Sequence, residues 1–226
     1  MGFIKKLQFF NLNTVVVSGA TALSILVLNG CSQPTPFAIV EPSNSVAQAA
    51  TPSKSTTLKN LISAYNGESN AHVMYLAFAK KADTEGYKEV GSLFRATARA
   101  EAIHRDNHAK VIRAMGGTPK NNIATPVVKS TAENLTQAIK GESYERDTMY
   151  PGFIKEAKKV GNQAAVQTFN YALEAETGHA QLYTTAKNNL ATWKQASRPF
   201  YVCPISGYTT LDAKSKNCSK PFEKVN

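Results

Sequence analysis

The sequence predicts an all-α fold, a four-helix bundle with one long crossover, followed by a small irregular or short-β tail. Three observations carry this. Four segments repeat apolar residues alternately three and four apart, the mark of helices turning one face to a core. The connections within the first and second pair of segments are short, while the link between pairs, about 116–130, is long and holds Pro119 and Pro126. Ionisable residues interrupt all four stripes near their middles.

The elements follow in chain order. At 226 residues the chain suits one domain plus appendages. Residues 1–30 read as an export signal: Lys5 and Lys6 with no acid, then the apolar run "TVVVSGATALSILVLNG". That run ends in "LNGCS", which resembles a bacterial lipoprotein box and makes Cys31 the candidate lipidated residue, although Asn29 departs from the usual small or branched residue. The alternative is an ordinary signal peptide with a stray cysteine. Residues 31–55, rich in Pro, Ser, Thr and Ala, read as a flexible tether. The expected location is therefore the cell envelope, with the body held to the membrane by a lipid and facing the periplasm or exterior. Without residues 1–30 the chain keeps 24 basic and 16 acidic residues, a charge of +8. Such a surface favours anionic headgroups or wall polymers. No basic run with interleaved aromatics is present, so nucleic acid is not expected as a partner.

The bundle is expected over 56–192. Its first helix, about 56–85, carries Leu61, Glu68, His72, Tyr75 and Ala82 on one stripe. The second, about 87–115, carries Phe94, Glu101, His104, His108 and Val111, and ends at Gly116, Gly117 and Pro119. The third, about 131–158, carries Leu135, Glu142, Glu145, Met149 and Phe153, and Pro151 predicts a kink in it. The fourth, about 162–191, carries Phe169, Leu173, Glu176, His179 and Tyr183. Short turns make antiparallel hairpins of each pair, and the long link lets the second hairpin start at the far end. This is a ferritin-like layout.

The register that places Phe94, Val111 and Leu173 inside also places five glutamates inside. An unpaired buried charge costs several kcal/mol even after relaxation. Two divalent cations would supply the missing countercharge. Spacing supports metal: "EAIH" at 101–104 and "ETGH" at 176–179 each set a carboxylate and an imidazole one turn apart. Di-metal carboxylate bundles combine two such pairs with one Glu from each remaining helix, and Glu68 and Glu142 complete that set. The chain also repeats itself. "GES" recurs at an offset of 74, while Glu101 and Glu176, like His104 and His179, are 75 apart.

Through the ordered motifs "NGESNAHVMY", "EAIH", "KGESYERDTMYP" and "EAETGH", the chain from Leu58 to Asn226 resembles a rubrerythrin. The resemblance implies two iron ions per chain, with manganese or a mixed pair as alternatives. It implies Glu68, Glu101, His104, Glu142, Glu145, Glu176 and His179 as ligands, Glu101 and Glu176 bridging. One iron would shift between Glu145 and His104 with oxidation state, because a ferric ion favours the anionic oxygen. Tyr75 and Tyr150 match tyrosines near the family's cluster and are expected to hydrogen-bond ligand carboxylates. The implied activity is reduction of hydrogen peroxide in oxidative-stress defence, by a homodimer. His72 and His108 match no ligand position.

The tail, 198–226, resembles a rubredoxin-like pair of knuckles in which Ser206 and Pro221 stand where two of four cysteines belong. A four-thiolate iron centre is therefore not expected, and electrons must come from an external one-electron donor. With Cys31 lipidated, an exported chain is expected to join Cys203 to Cys218 in a disulfide, two free thiols being the alternative. Two other functions fit the same residues: ferrous oxidation or iron binding without sustained peroxide turnover, and a metal-poor interaction bundle.

Overall fold

The structure is a computed structural model that describes residues 53–194 and 198–226. The export signal, Cys31 and all but the last residues of the tether lie outside the described residues. Among the described residues no helix is long and apolar enough to cross a membrane.

Helix α1 spans Lys54–Thr84, starting two residues earlier than the sequence predicts, where the Ser53 hydroxyl accepts the Thr56 N–H at 3.2 Å. Helix α2 spans Lys88–Ala114 and buries most of its surface, leaving open a stripe through Lys88, Arg95, Arg99 and Asp106. Residues 115–130 form the crossover. Asn66 and Asn70 fasten it to α1, accepting the N–H of Asn122 (2.9 Å) and Ala124 (2.8 Å). It ends in a capping box, Ser130 with Glu133, that opens α3 at Thr131–Tyr144. Glu85 fixes the same end by accepting from the Thr131 amide (2.8 Å) and hydroxyl (2.6 Å), which holds its carboxyl down at about 2.

The expected third helix is interrupted, and the interruption begins before Pro151. Residues Glu145–Met149 form one π-helical turn, and α4, Tyr150–Lys159, follows. The Tyr150 N–H donates to the Glu145 carbonyl, five residues back. Pro151 has no N–H to give, and its ring crowds the carbonyl four residues back in a regular helix. A widened turn just ahead of it relieves that conflict. The turn also adds a residue. Tyr75 follows Glu68 by seven positions, whereas Tyr150 follows Glu142 by eight. The change of repeat offset from 74 to 75 is this insertion.

Helix α5 spans Gln163–Asn188, with Asn162 capping through the Ala165 N–H at 3.0 Å. The tail forms a three-stranded antiparallel sheet: β1 (Phe200–Val202), β2 (Thr209–Thr210) and β3 (Glu223–Val225), in the order β2-β1-β3. Arg99 grips Glu223 through two bonds of 2.6 and 2.9 Å and holds the sheet to α2. Cys203 and Cys218 are joined as a disulfide.

The apolar core is split in two. One cluster, with Phe78, Phe94, Leu135, Tyr183 and Phe200, lies towards the tail. The other, with Leu61, Ile112, Tyr150, Ile154 and Phe169, lies towards the opposite end. Between them sits the charged layer.

Candidate metal centre

Helical spacing turns each Glu-x-x-His pair inward from one helix face. On α2, His104 Nδ1 lies 2.9 Å from Glu101 Oε2. On α5, His179 Nδ1 lies 2.8 Å from Glu176 Oε2. Across the bundle, His104 Nδ1 is 3.0 Å from Glu176 Oε1 and 4.0 Å from Glu68 Oε2. His179 Nδ1 is 3.4 Å from Glu101 Oε1 and 3.5 Å from Glu142 Oε2. Two groups of four result, Glu68–Glu101–His104–Glu176 and Glu101–Glu142–Glu176–His179. Within each, the ligating atoms lie within 4.8 Å of one another, and Glu101 and Glu176 belong to both.

These six side chains are at most 1 % exposed. One oxygen each of Glu68, Glu101, Glu142 and Glu176 is buried with no hydrogen-bond partner. Four orphaned carboxylate oxygens at one point cannot be tolerated as anions without a cation. Burial, then Glu101 and Glu176, push the Glu68 carboxyl well up; burial, then Glu176 and Glu101, do the same to Glu142. Burial also works against Glu176, but His104 and His179 hold it well down. Both imidazoles are raised despite burial, because Glu176 and Glu101 face them. Without metal the layer keeps protons that a cation would replace.

The far side of each imidazole fixes its tautomer. His104 Nε2 lies 2.8 Å from the Ser206 carbonyl, which only accepts, so Nε2 keeps its proton, and the Nδ1 proton facing the carboxylates is the one a metal would replace. His179 Nε2 lies 3.1 Å from Thr209 Oγ1, whose own hydrogen goes to the Gly207 carbonyl at 3.0 Å. It too presents Nδ1 to the centre. Once deprotonated at Nδ1, the donor set of two imidazoles and four carboxylates in two overlapping groups suits a pair of iron, manganese or zinc-like cations.

Both supporting groups come from the tail, which the sequence did not connect to the histidines. Gly207 is what lets the tail come so close. Its φ is +77°, and a Cβ there would overlap the His104 ring.

The tyrosines cross between hairpins. Tyr75 of α1 donates to Glu142, and Tyr150 of α4 donates to Glu68. Tyr150 has one proton and gives it to Glu68, so His108 Nε2 donates to its oxygen at 3.2 Å, while the Thr168 hydroxyl serves Nδ1 at 3.0 Å. Burial, with His104 nearby, lowers His108 to about 3, so it is neutral. His72 donates from Nδ1 to the Ala98 carbonyl (2.6 Å) and ties α1 to α2. Neither joins the two groups.

Glu145 is placed beside the cluster and outside both groups. It is partly exposed at the wall of a surface cavity. Burial, then Glu68, raises its carboxyl well above the usual range. The π-turn begins at this residue.

A four-helix bundle whose two hairpins bring together two Glu-x-x-His pairs and two further glutamates belongs to the di-metal carboxylate class. The rubrerythrin family profile matches residues 59–187. Nigerythrin of Nitratidesulfovibrio vulgaris is 41 % identical over 176 residues, 77 % of this chain and 86 % of the relative. Rubrerythrin-2 of Clostridium acetobutylicum is 38 % identical, covering 70 % and 87 %. The solved structure of nigerythrin in its fully reduced, all-ferrous state superposes with a TM-score of 0.69 at 38 % identity, covering 74 % of this chain and 86 % of that one. The chain belongs to the rubrerythrin family.

Proposed function

We propose that this protein is a non-haem di-iron peroxidase that reduces hydrogen peroxide to water with electrons from an external donor, in oxidative-stress defence. The observation that carries the reading is the pair of four-residue groups sharing Glu101 and Glu176, with four buried carboxylate oxygens left without a partner. Glu68, Glu101 and His104 with Glu176, and Glu142 and His179 with the two shared glutamates, would hold the ions. When bound as a ferrous pair, the metals supply the two electrons that break the peroxide O–O bond, in the balance H2O2 + 2H+ + 2e− → 2H2O.

The chain's own residues do the rest. Tyr75 and Tyr150 hold Glu142 and Glu68 in place from the opposite hairpin. The Ser206 carbonyl and Thr209 hydroxyl keep both Nδ1 lone pairs aimed at the metals. His104 drawn in and Glu145 held off is the arrangement that the proposed redox cycle assigns to the ferrous state, with Glu145 taking over in the ferric state. Glu145, half open to the cavity, can exchange its proton with solvent as it does so.

The tail supports the need for an outside donor. Ser206 offers only its carbonyl to His104, and Cys203 is bonded to Cys218. We read this tail as a rubredoxin-like unit without its iron. A lipid on Cys31 and the tether after it would hold the body near membrane redox partners. Export and a homodimeric state belong to the same proposal.

The test is anaerobic. Protein loaded with ferrous iron should react once with peroxide and stop, then turn over when a rubredoxin-type donor and its reductant are added. Sustained turnover with NADH alone would overturn the donor requirement. Single oxidation with no turnover under any donor would instead favour an iron-oxidising or iron-holding role.

A further inference from the structure

The six innermost candidate ligands are closed off on several sides. Apolar clusters cover both ends of the charged layer, and the tail covers the backs of His104 and His179. The face between α1, α3 and the crossover differs. It carries a cavity of about 370 Å³ whose lining includes Tyr75 and Glu145. Tyr75 lines the cavity and donates to Glu142, so this side chain lies between cavity and metal centre. Ala71, Met74, Pro126 and Val127 supply apolar walls, and Asn66 and Asn70 hold the crossover that forms the rim.

Two glycines in this wall are unexplained by backbone needs. Gly67 and Gly141 are helical, neither has a positive φ, and each immediately precedes a candidate ligand, Glu68 or Glu142. Glycine inside a helix costs about 0.5–1 kcal/mol relative to alanine. Close packing does not require them either. A Cβ at Gly141 would meet nothing within 4 Å, and one at Gly67 only Glu145 Oε1 at 3.8 Å. What they preserve is open space beside the centre.

Hydrogen peroxide, scarcely larger than water, needs no apolar chamber. A volume of this order is that of a small-molecule pocket. We propose that the cavity is a substrate pocket for organic hydroperoxides, seating the alkyl or aryl group against Ala71, Met74 and Val127 while the peroxide oxygens meet the centre past Tyr75 and Glu145. The proposal rests on the peroxidase reading for its chemistry. The O–O bond breaks, the two electrons come from the ferrous pair, and two protons complete the products: ROOH + 2H+ + 2e− → ROH + H2O. The alcohol leaves by the same opening.

Cumyl alcohol, the unreactive product of cumene hydroperoxide, tests the pocket on metal-free full chain. Its addition should shift the Met74 and Val127 methyl resonances saturably, and Gly141→Leu should abolish the shift. In the iron-loaded protein Gly141→Leu should lower kcat/KM for cumene hydroperoxide about tenfold or more relative to that for hydrogen peroxide, the scale of a lost apolar pocket contact. Leucine favours a helix over glycine, so the variant should fold. Gly152→Leu, at an exposed position of α4 with no neighbour within 4 Å, should change neither readout. Absent shifts in the parent protein, or an unchanged ratio of kcat/KM for the two peroxides in Gly141→Leu, would overturn the pocket. Shifts without reduction of any peroxide would leave the pocket standing and refute the peroxidase reading instead.

Discussion

The two hairpins of the bundle solve the same problem with one residue's difference. The first contributes Glu68, Glu101 and His104, the second Glu142, Glu176 and His179. Each lends the other a tyrosine, Tyr75 to Glu142 and Tyr150 to Glu68. In the first hairpin α1 runs unbroken from Lys54 to Thr84; in the second the matching helix opens into a π-turn at Glu145. Such turns arise as one-residue insertions and gather at functional sites. The insertion leaves the shared ligand pattern intact, and the turn it makes opens at Glu145, where the first hairpin has Ala71 at the 74-residue offset. In the proposed function symmetry belongs to metal holding, and the departure from it to the redox cycle.

The sharpest break of this comparison removes what the hairpins share. Glu101→Ala or Glu176→Ala should each lose both ions, because each residue belongs to both groups. Metal analysis after desalting decides it, and retention of two ions in both variants would end the shared-ligand account.

Removing the difference comes next. Deleting exposed Asp147 should restore a regular helix in the second hairpin. The variant should keep two metals but lose most peroxide turnover, as Glu145→Ala should. Pro151 would then sit in an unrelieved helix, so stability should fall by about 3 kcal/mol. Unchanged turnover in both variants would assign the π-turn to accommodating Pro151 alone.

Titration separates the metal layer from its apolar flanks. In the metal-free protein Glu68 and Glu142 are raised above 4.5, and His104 and His179 above 6.5. For all four, the folded chain keeps protons that the unfolded chain releases, so stability should fall as pH rises from about 4.5 upward through the folded values. Metal needs the deprotonated ligands, so its binding strengthens over the same range. The gap in Tm between loaded and metal-free protein should therefore widen from pH 5 to pH 8. A constant gap would mean the layer does not bind metal through these groups.

The smallest effects probe the crossed tyrosines. Tyr75→Phe and Tyr150→Phe each free one ligand carboxylate and should each cost about 1–3 kcal/mol in the metal-free protein. Tyr150→Phe should cost more, because it also strips His108 Nε2 of its acceptor. Equal costs would show that His108 draws nothing from Tyr150.

Much of this was legible in the sequence. The 3.6-residue stripes located all four helices to within a few residues, because each buries one face along its length. The paired Glu-x-x-His motifs pointed to the side chains that cluster between the hairpins, since one helical turn aligns the two side chains whatever the surroundings. The π-turn left a trace in the shift of repeat offset from 74 to 75, which marks an insertion without saying where it lies. The roles of Ser206 and Thr209 were not legible. They act through a carbonyl and a hydroxyl brought 102 and 30 residues along the chain to a ring nitrogen, contacts that no local pattern encodes. The same holds for Glu145: the resemblance implied a seventh ligand, and only the structure shows it standing apart from both groups.

The central claim is that two metal ions lie between the hairpins and act as one two-electron unit. The most direct test is an anaerobic titration of the protein, loaded with ferrous iron and desalted, with hydrogen peroxide, followed by Mössbauer spectroscopy. The account predicts two ferrous ions per chain, both oxidised by a single equivalent of peroxide. One retained ion, or one ion oxidised while its neighbour stays ferrous, would contradict it.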